Sequence, residues 1–183
     1  MKILIIYAST DGQTEKIAQQ ITGQLIESGQ SAEMLKANKI PSDFACSKYD
    51  AAIVGGSIRM GGYPDYLKQF VNAYADWLNS VPSAMFTVCM GINSQNVESR
   101  SEASHYGDRF IASVNWNPQM LATFAGAVKY QEYDPITRLI MKRISRAEGG
   151  STDTTHDHEY TDWQAVERFT QLFIEQCTEM ESH

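Results

Sequence analysis

Apolar residues along this chain fall alternately into short unbroken runs and into stripes of helical spacing. KILIIYA, Lys2–Ala8, is a β-rich run of the kind a strand buried on both faces requires. Ile17, Ala18, Ile21 and Leu25 then share one face between Gln13 and Glu27, and Ser28-Gly29 stops that helix. Ser31–Ala37 predicts a weaker strand, and AAIVGG, Ala51–Gly56, a second buried one that ends in glycines. A stripe of Leu67, Phe70, Val71, Tyr74 and Leu78 predicts a helix over Asp65–Leu78. A strand at Ala84–Cys89, a helix at Glu102–Val114, a strand at Met120–Val128 and a closing helix from Asp162 to about Met180 complete the series. Strands alternating with helices across short connections predict an α/β fold, a doubly wound five-stranded parallel sheet in the order 2-1-3-4-5. In that topology a ligand sits at the carboxyl ends of strands 1, 3 and 4. One stretch, about 129–158, is too long for an ordinary loop and predicts a helical insertion near strand 5, inside a single domain spanning 1–183.

Within the insertion, PITRLIMKRISRA (135–147) carries four basic residues and no acid in a chain of net charge −7. On a helical wheel Ile136, Leu139, Ile140, Ile144 and Ala147 share one face, while Arg138, Lys142 and Arg146 share another and Arg143 intrudes on the apolar arc. Pro135 suits the helix start and Gly149-Gly150 its end. Such a helix suits an anionic membrane surface, an anionic ligand, or packing on the sheet edge. Ahead of it, Tyr130–Pro135 brings in two acids, Glu132 and Asp134.

Composition narrows the function classes. No run approaches the roughly 18 apolar residues of a membrane span, and MKILIIYAST enters a strand directly, with no cleavable signal expected. Cys46, Cys89 and Cys177 are odd in number and far apart, which favours reduced cytosolic thiols; Cys89 reads as a small buried residue. The acidic balance argues against nucleic-acid binding. His156 and His158 lack a third and fourth ligand at fixed spacing, so no metal site is expected. Trp163 reads as an anchor for the closing helix.

Three loops carry the candidate chemistry. Ser9, Thr10, Asp11, Gly12, Gln13 and Thr14 span the turn from strand 1 into helix 1, where unsatisfied N–H groups and the helix dipole favour an anion. The hydroxyls add donors and Gly12 permits close approach; alternatively Thr10 or Asp11 merely caps the helix. Neither a G-x-x-x-x-G-K-[ST] nor a G-x-G-x-x-G motif is present, which excludes the usual nucleoside triphosphate and dinucleotide loops. Gly55–Pro64, GGSIRMGGYP, offers four glycines against which a flat ring could lie, with Arg59 as its charged side chain. Met90–Asn96 follows strand 4 without an aromatic residue. Only Tyr63 is near, with nothing comparable after strand 4 before Tyr106, so one face of a bound ring is expected to be open.

The S-T-x-G-x-T loop resembles the phosphate loop of flavodoxins, which hold flavin mononucleotide (FMN) without a lysine. With GGSIRMGGY, LNSVPSA, RLIMK, GGSTDT and YTDW, essentially the whole chain resembles the menaquinone-dependent protoporphyrinogen IX dehydrogenases of bacterial haem synthesis. That resemblance implies a flavodoxin-like fold and FMN held by Ser9–Thr14, by Gly56, Ser57, Ile58, Arg59, Met60, Gly61, Gly62 and Tyr63, and by Met90, Gly91, Ile92 and Asn93. It also implies oxidation of protoporphyrinogen IX by a respiratory quinone, menaquinone or ubiquinone, at the cytoplasmic face of the inner membrane. Arg59 and Lys129 are the polar candidates for a place near ring or substrate. Two other readings stay open, a flavodoxin-type electron-transfer protein and an FMN-dependent quinone reductase. The basic inserted helix and the missing aromatic sandwich favour an enzyme over a carrier.

Overall fold

The computed structural model describes residues 1–131, 133–147 and 149–181. Glu132, one of the two acids ahead of the inserted helix, lies outside the described residues, as do Glu148 and the last two positions of the 1–183 span. In chain order the elements are β1 (Lys2–Ala8), α1 (Gln13–Glu27), β2 (Ser31–Lys36), β3 (Ala51–Ser57), α2 (Asp65–Ala73), α3 (Ala75–Ser80) and β4 (Ser83–Val88). Then follow α4 (Val97–Ser104), α5 (Tyr106–Ala112), β5 (Met120–Phe124), β6 (Ala127–Val128), α6 (Pro135–Ala147), β7 (His158–Glu159) and α7 (Trp163–Glu181). Strands β2-β1-β3-β4-β5 form a parallel sheet in that order, as the alternation of runs and stripes predicts.

Alternation within each central strand divides the interior in two. Ile3, Ile5, Ile53 and Phe86 face α1 and α7, where Ile17, Ile21, Phe169 and Phe173 meet them. Leu4, Ile6, Val54 and Met85 face the other layer, against Leu67, Val71, Leu78, Phe110 and Trp116. Both faces being covered, the sheet's polar backbone ends emerge only at its two rims. The ends of β1, β3 and β4 share one rim.

Departures from the sequence expectation have local causes. The helix expected over Asp65–Leu78 breaks at Tyr74, whose φ of −119° leaves the helical region as its ring packs 5.2 Å from Phe44 and 4.7 Å from Phe70. The one expected at Glu102 starts earlier, at Val97, because Asn96 Oδ1 accepts from the N–H groups of Glu98 (2.8 Å) and Ser99 (3.4 Å). The strand expected over Met120–Val128 is two strands. The chain leaves the sheet at Ala125-Gly126, and β6 pairs antiparallel with β7, Val128 opposite His158 and Ala127 opposite Glu159. Between β6 and β7 runs the insertion, with a small apolar cluster of its own: Val128, Tyr130 and Tyr133 under Met90, Met141 and Tyr160.

Gly55 and Gly23 predict opposite responses to the same change. A Cβ on Gly55 would lie 2.1 Å from Phe86 Cζ, whereas one on Gly23, inside α1, meets nothing within 4 Å. Gly55→Ala is expected to lower the unfolding free energy by about 1–3 kcal/mol or more. Gly23→Ala should raise it by about 0.5–1 kcal/mol. Urea denaturation followed by circular dichroism checks both.

Candidate functional site

Helix α1 starts without a side-chain cap. Its N-cap residue is Gly12, in the left-handed region at φ 81°, and its first residues are the buried Gln13 and Thr14. Thr10 and Asp11 therefore do not cap it. Ser9 Oγ instead accepts from Gly12 N–H at 3.0 Å, which curls the loop inward. Thr14 Oγ1 is buried with no hydrogen-bond partner among the described residues. A buried hydroxyl left unpaired costs about 1–3 kcal/mol, and a helix N-terminus adds partial positive charge beside it. Oriented N–H groups, a waiting hydroxyl and a glycine that brings backbone close together fit a phosphate, as the resemblance to flavodoxins implies.

A tight hairpin follows β3. Arg59 and Gly62 exchange both backbone hydrogen bonds, at 2.9 and 3.1 Å. Between them Met60 (φ 51°) and Gly61 (φ 81°) are both left-handed, the geometry of a type I′ turn. Met60 is thus a fully exposed non-glycine residue in a conformation that most side chains avoid. At the base of the hairpin Ser57 Oγ is a second buried hydroxyl without a partner among the described residues.

These loops open into a cavity of about 440 Å³. One end is polar, with Ser9, Thr10, Asp11, Gln13 and Thr14; the hairpin adds Ser57, Ile58, Arg59, Met60 and Gly61. Cys89, Met90 and Gly91 come from the end of β4, and Ala103 and Tyr106 from α4 and α5. The insertion supplies a whole wall: Tyr133 ahead of α6, then Thr137, Ile140, Met141 and Ile144 along it. Asp134 starts α6, its Oδ1 accepting from the N–H groups of Ile136 (3.0 Å) and Thr137 (3.1 Å). Gly149 (φ 73°) ends it, with Gly150 N–H bonded to Ser145 O at 2.7 Å.

Asp11 joins three loops. Arg59 Nη1 lies 3.7 Å from its Oδ1, and Tyr133 Oη donates to its Oδ2 at 3.4 Å. Burial, and after it the negative charge of Asp11, push the Tyr133 hydroxyl up to about 12, so it remains a neutral donor over the physiological range. The far end of the insertion is also tied to α1. Gln13 Nε2 donates to Thr161 Oγ1 (2.8 Å), which donates to Ala125 O (2.8 Å). Lys16 pairs with Glu159, whose other oxygen accepts from Trp163 Nε1 at 2.7 Å.

Several residues singled out from sequence do not line the cavity. Tyr63 turns away: its hydroxyl bonds Thr87 Oγ1 at 2.7 Å, its ring packs 4.7 Å from Phe110, and burial raises its pKa. Gly56 serves that packing, since a Cβ there would lie 2.7 Å from the Tyr63 ring and 2.5 Å from Leu67. Gly62 closes the hairpin, while Asn93 Nδ2 reaches Tyr160 O at 3.4 Å and Ile92 lies in the short 3-10 turn before it. Lys129 stands beside the turn that opens α1, its Nζ 3.2 Å from where a Cβ on Gly12 would be. Arg59 does line the cavity, but beside a carboxylate. Tyr106 and Tyr133, neither of them assigned to the site from sequence, both line the cavity. Their sequence signals were positional, a tyrosine opening the helix after the third loop and one just before a capped Asp-Pro.

The profile of the flavodoxin domain family matches residues 4–155. A protein named protoporphyrinogen IX dehydrogenase [quinone] from Escherichia coli strain K12 is 35% identical over 170 residues, 92% of this chain and 92% of that one. One of the same name from Leishmania major is 30% identical over 173 residues, covering 94% of this chain and 74% of its own. In structure the chain is similar to a flavodoxin from the domain Archaea (TM-score 0.56, 14% identity, 99% of both chains). It is also similar to the flavodoxin of Streptococcus pneumoniae TIGR4 (TM-score 0.55, 17% identity, 98% and 99%).

The raised Tyr133 pKa has a sign that alkaline unfolding can check. Between the ordinary phenol value of 10.0 and about 12 the folded state holds a proton that the unfolded state has lost, so this residue's contribution is full below 10 and falls as pH rises. Tyr133→Phe is expected to lose less unfolding free energy than the parent protein across that interval, measured by urea denaturation at stepped pH.

Proposed function

The chain belongs to the protoporphyrinogen IX dehydrogenase [quinone] family, built on a flavodoxin domain, and from that premise we propose how its cavity binds FMN and oxidises protoporphyrinogen IX with a quinone as acceptor. Bound FMN supplies the two-electron acceptor for hydrogen leaving a reduced carbon bridge, and the protein supplies position and field. Ser9, Thr10, Gly12, Gln13 and Thr14 hold the phosphate through hydroxyls and backbone N–H groups. Lys129 adds positive charge at that end. Ser57–Gly61 and Met90–Gly91 meet the ring, with the unpaired Ser57 hydroxyl as a ready donor. Arg59 supports negative charge near the ring, and Asp11 fixes its direction.

The observation that carries an enzyme rather than a carrier is the wall contributed by α6. Ile140, Met141 and Ile144 extend the cavity in apolar surface beyond its phosphate-binding end, where a large macrocycle can lie. A protein that only passes electrons needs an exposed ring edge and no such wall.

The outer side of α6 is a surface for the membrane in which a quinone resides. Ile136 and Leu139 are exposed with Arg143 between them, and Arg146 and Lys142 lie on the adjoining arc. Arg138, grouped with the free basic residues from sequence, is instead turned inward. Its Nε donates to Tyr130 O (2.9 Å) and its Nη2 to Tyr133 O (3.2 Å). Among the described residues no helix is long and apolar enough to cross a membrane, so contact would be peripheral, through α6 lying in the interface.

FMN-loaded protein given protoporphyrinogen IX and a quinone analogue without oxygen is expected to develop porphyrin fluorescence; a trace no higher than the protein-free control overturns the proposal. Thr14→Val should weaken FMN binding roughly tenfold, the worth of one hydrogen bond to a charged group, read by flavin fluorescence quenching. Charge reversal at Lys142, Arg143 and Arg146 should cut sedimentation with anionic vesicles, and unchanged pelleting would remove the membrane face.

A further inference from the structure

Tyr106 and the hairpin tip at Gly61 form a rim shared by two cavities. Beyond it lies a second one of about 220 Å³, lined among others by Gly62, Tyr63, Lys68, Arg109 and Ser113. We propose that this side cavity is a carboxylate subsite, in which Lys68 and Arg109 receive an acidic side arm of the macrocycle oxidised next door. The inference rests on the substrate reading above and adds where its charge goes.

The main cavity offers poor terms to an anionic arm. Its guanidinium, Arg59, already faces the Asp11 carboxylate at 3.7 Å, and its remaining wall along α6 is apolar. A chain of net charge −7 also repels a dicarboxylate at long range, so the arms need a local patch of positive charge. Lys68 sits exposed on α2, and no carboxylate pairs with it among the described residues. Arg109 meets the Glu102 carboxylate at 3.8 Å and donates from Nη2 to Glu102 O at 3.4 Å; both side chains are more than half exposed, so the ion pair is a screened one that an arriving carboxylate can share. Its guanidinium carbon lies 5.1 Å from the centre of the Tyr106 ring, which fixes its plane beside the rim.

Besides Glu102, two more acids stand nearby. Asp65 lines the same cavity and Asp108 faces Tyr63, but each occupies the first turn of its helix, where the N-terminal dipole accommodates it. Tyr106 completes the rim as a neutral phenol. Burial raises its pKa, and among the described residues its hydroxyl has only a long contact, 3.3 Å, to Glu102 Oε1.

The test compares protoporphyrin IX with its dimethyl ester, which has the same ring without the charges. FMN-loaded parent protein and the variants Lys68→Gln, Lys68→Gln/Arg109→Gln and Lys68→Arg are titrated with each ligand, read by quenching of intrinsic fluorescence. The parent is expected to prefer the diacid, the double variant to lose about tenfold for the diacid and none for the ester, and Lys68→Arg to keep the preference. In turnover the double variant should raise KM for protoporphyrinogen IX with kcat within about twofold. Equal losses for diacid and ester, or no loss for either, overturn the subsite. Absence of turnover by the parent protein with a quinone overturns the substrate reading instead, while the ligand comparison still judges the subsite.

Discussion

Helix α1 begins at Gln13 behind Gly12, whose left-handed turn presents no side chain to the first N–H groups of the helix. The exposed positive end of that dipole, with the unpaired Thr14 hydroxyl inside it, is the constraint around which the rest of the site is arranged. Ser9 bends the loop toward it, and Asp11, the acid that would oppose an anion there, is held by Arg59 and Tyr133. A ligand that pairs with these groups in the folded state alone adds its binding free energy to the stability of the fold.

That constraint reaches into the insertion. Tyr133 touches Asp11 from one side of α6, and Thr161 links Gln13 to Ala125 from the other. Both ends of the inserted segment are fastened to the turn between β1 and α1. The cluster of Val128, Tyr130 and Tyr133 beneath Met90 gives α6 a base stiff enough to act as a wall.

The sheet was legible because its signal is local. Buried strands read as unbroken apolar runs, and α1 and α7 as stripes, so a parallel sheet followed from alternation, and the order 2-1-3-4-5 from the flavodoxin-like topology that five strands suit. The three loops were legible for the same reason, since topology alone brings strand ends together. What escaped depends on long-range partners. LATFAGAV reads as one strand, and only pairing with His158-Glu159, far along the chain, shows why it breaks at Ala125-Gly126. Tyr63 belongs to a glycine-rich loop in sequence, but Thr87 and Phe110 decide where its ring goes. Arg138 lies on a basic arc of the helical wheel, yet two carbonyls of the preceding loop claim it. In each case side-chain direction was set by a neighbour that no local pattern names.

The pairing of β6 with β7 places the two ends of the insertion side by side, Val128 opposite His158. A loop closed at its base in this way meets the rest of the fold through its two stems, through Tyr133 at Asp11 and through the contact with Met90, and the entropic cost of lengthening it rises only with the logarithm of its length. The sheet can therefore keep its register while the loop above it is shortened, extended or exchanged. In evolutionary terms the cofactor platform and the substrate wall are separable inheritances: one can be conserved while the other is rewritten, and a new substrate can be acquired without refolding the old core.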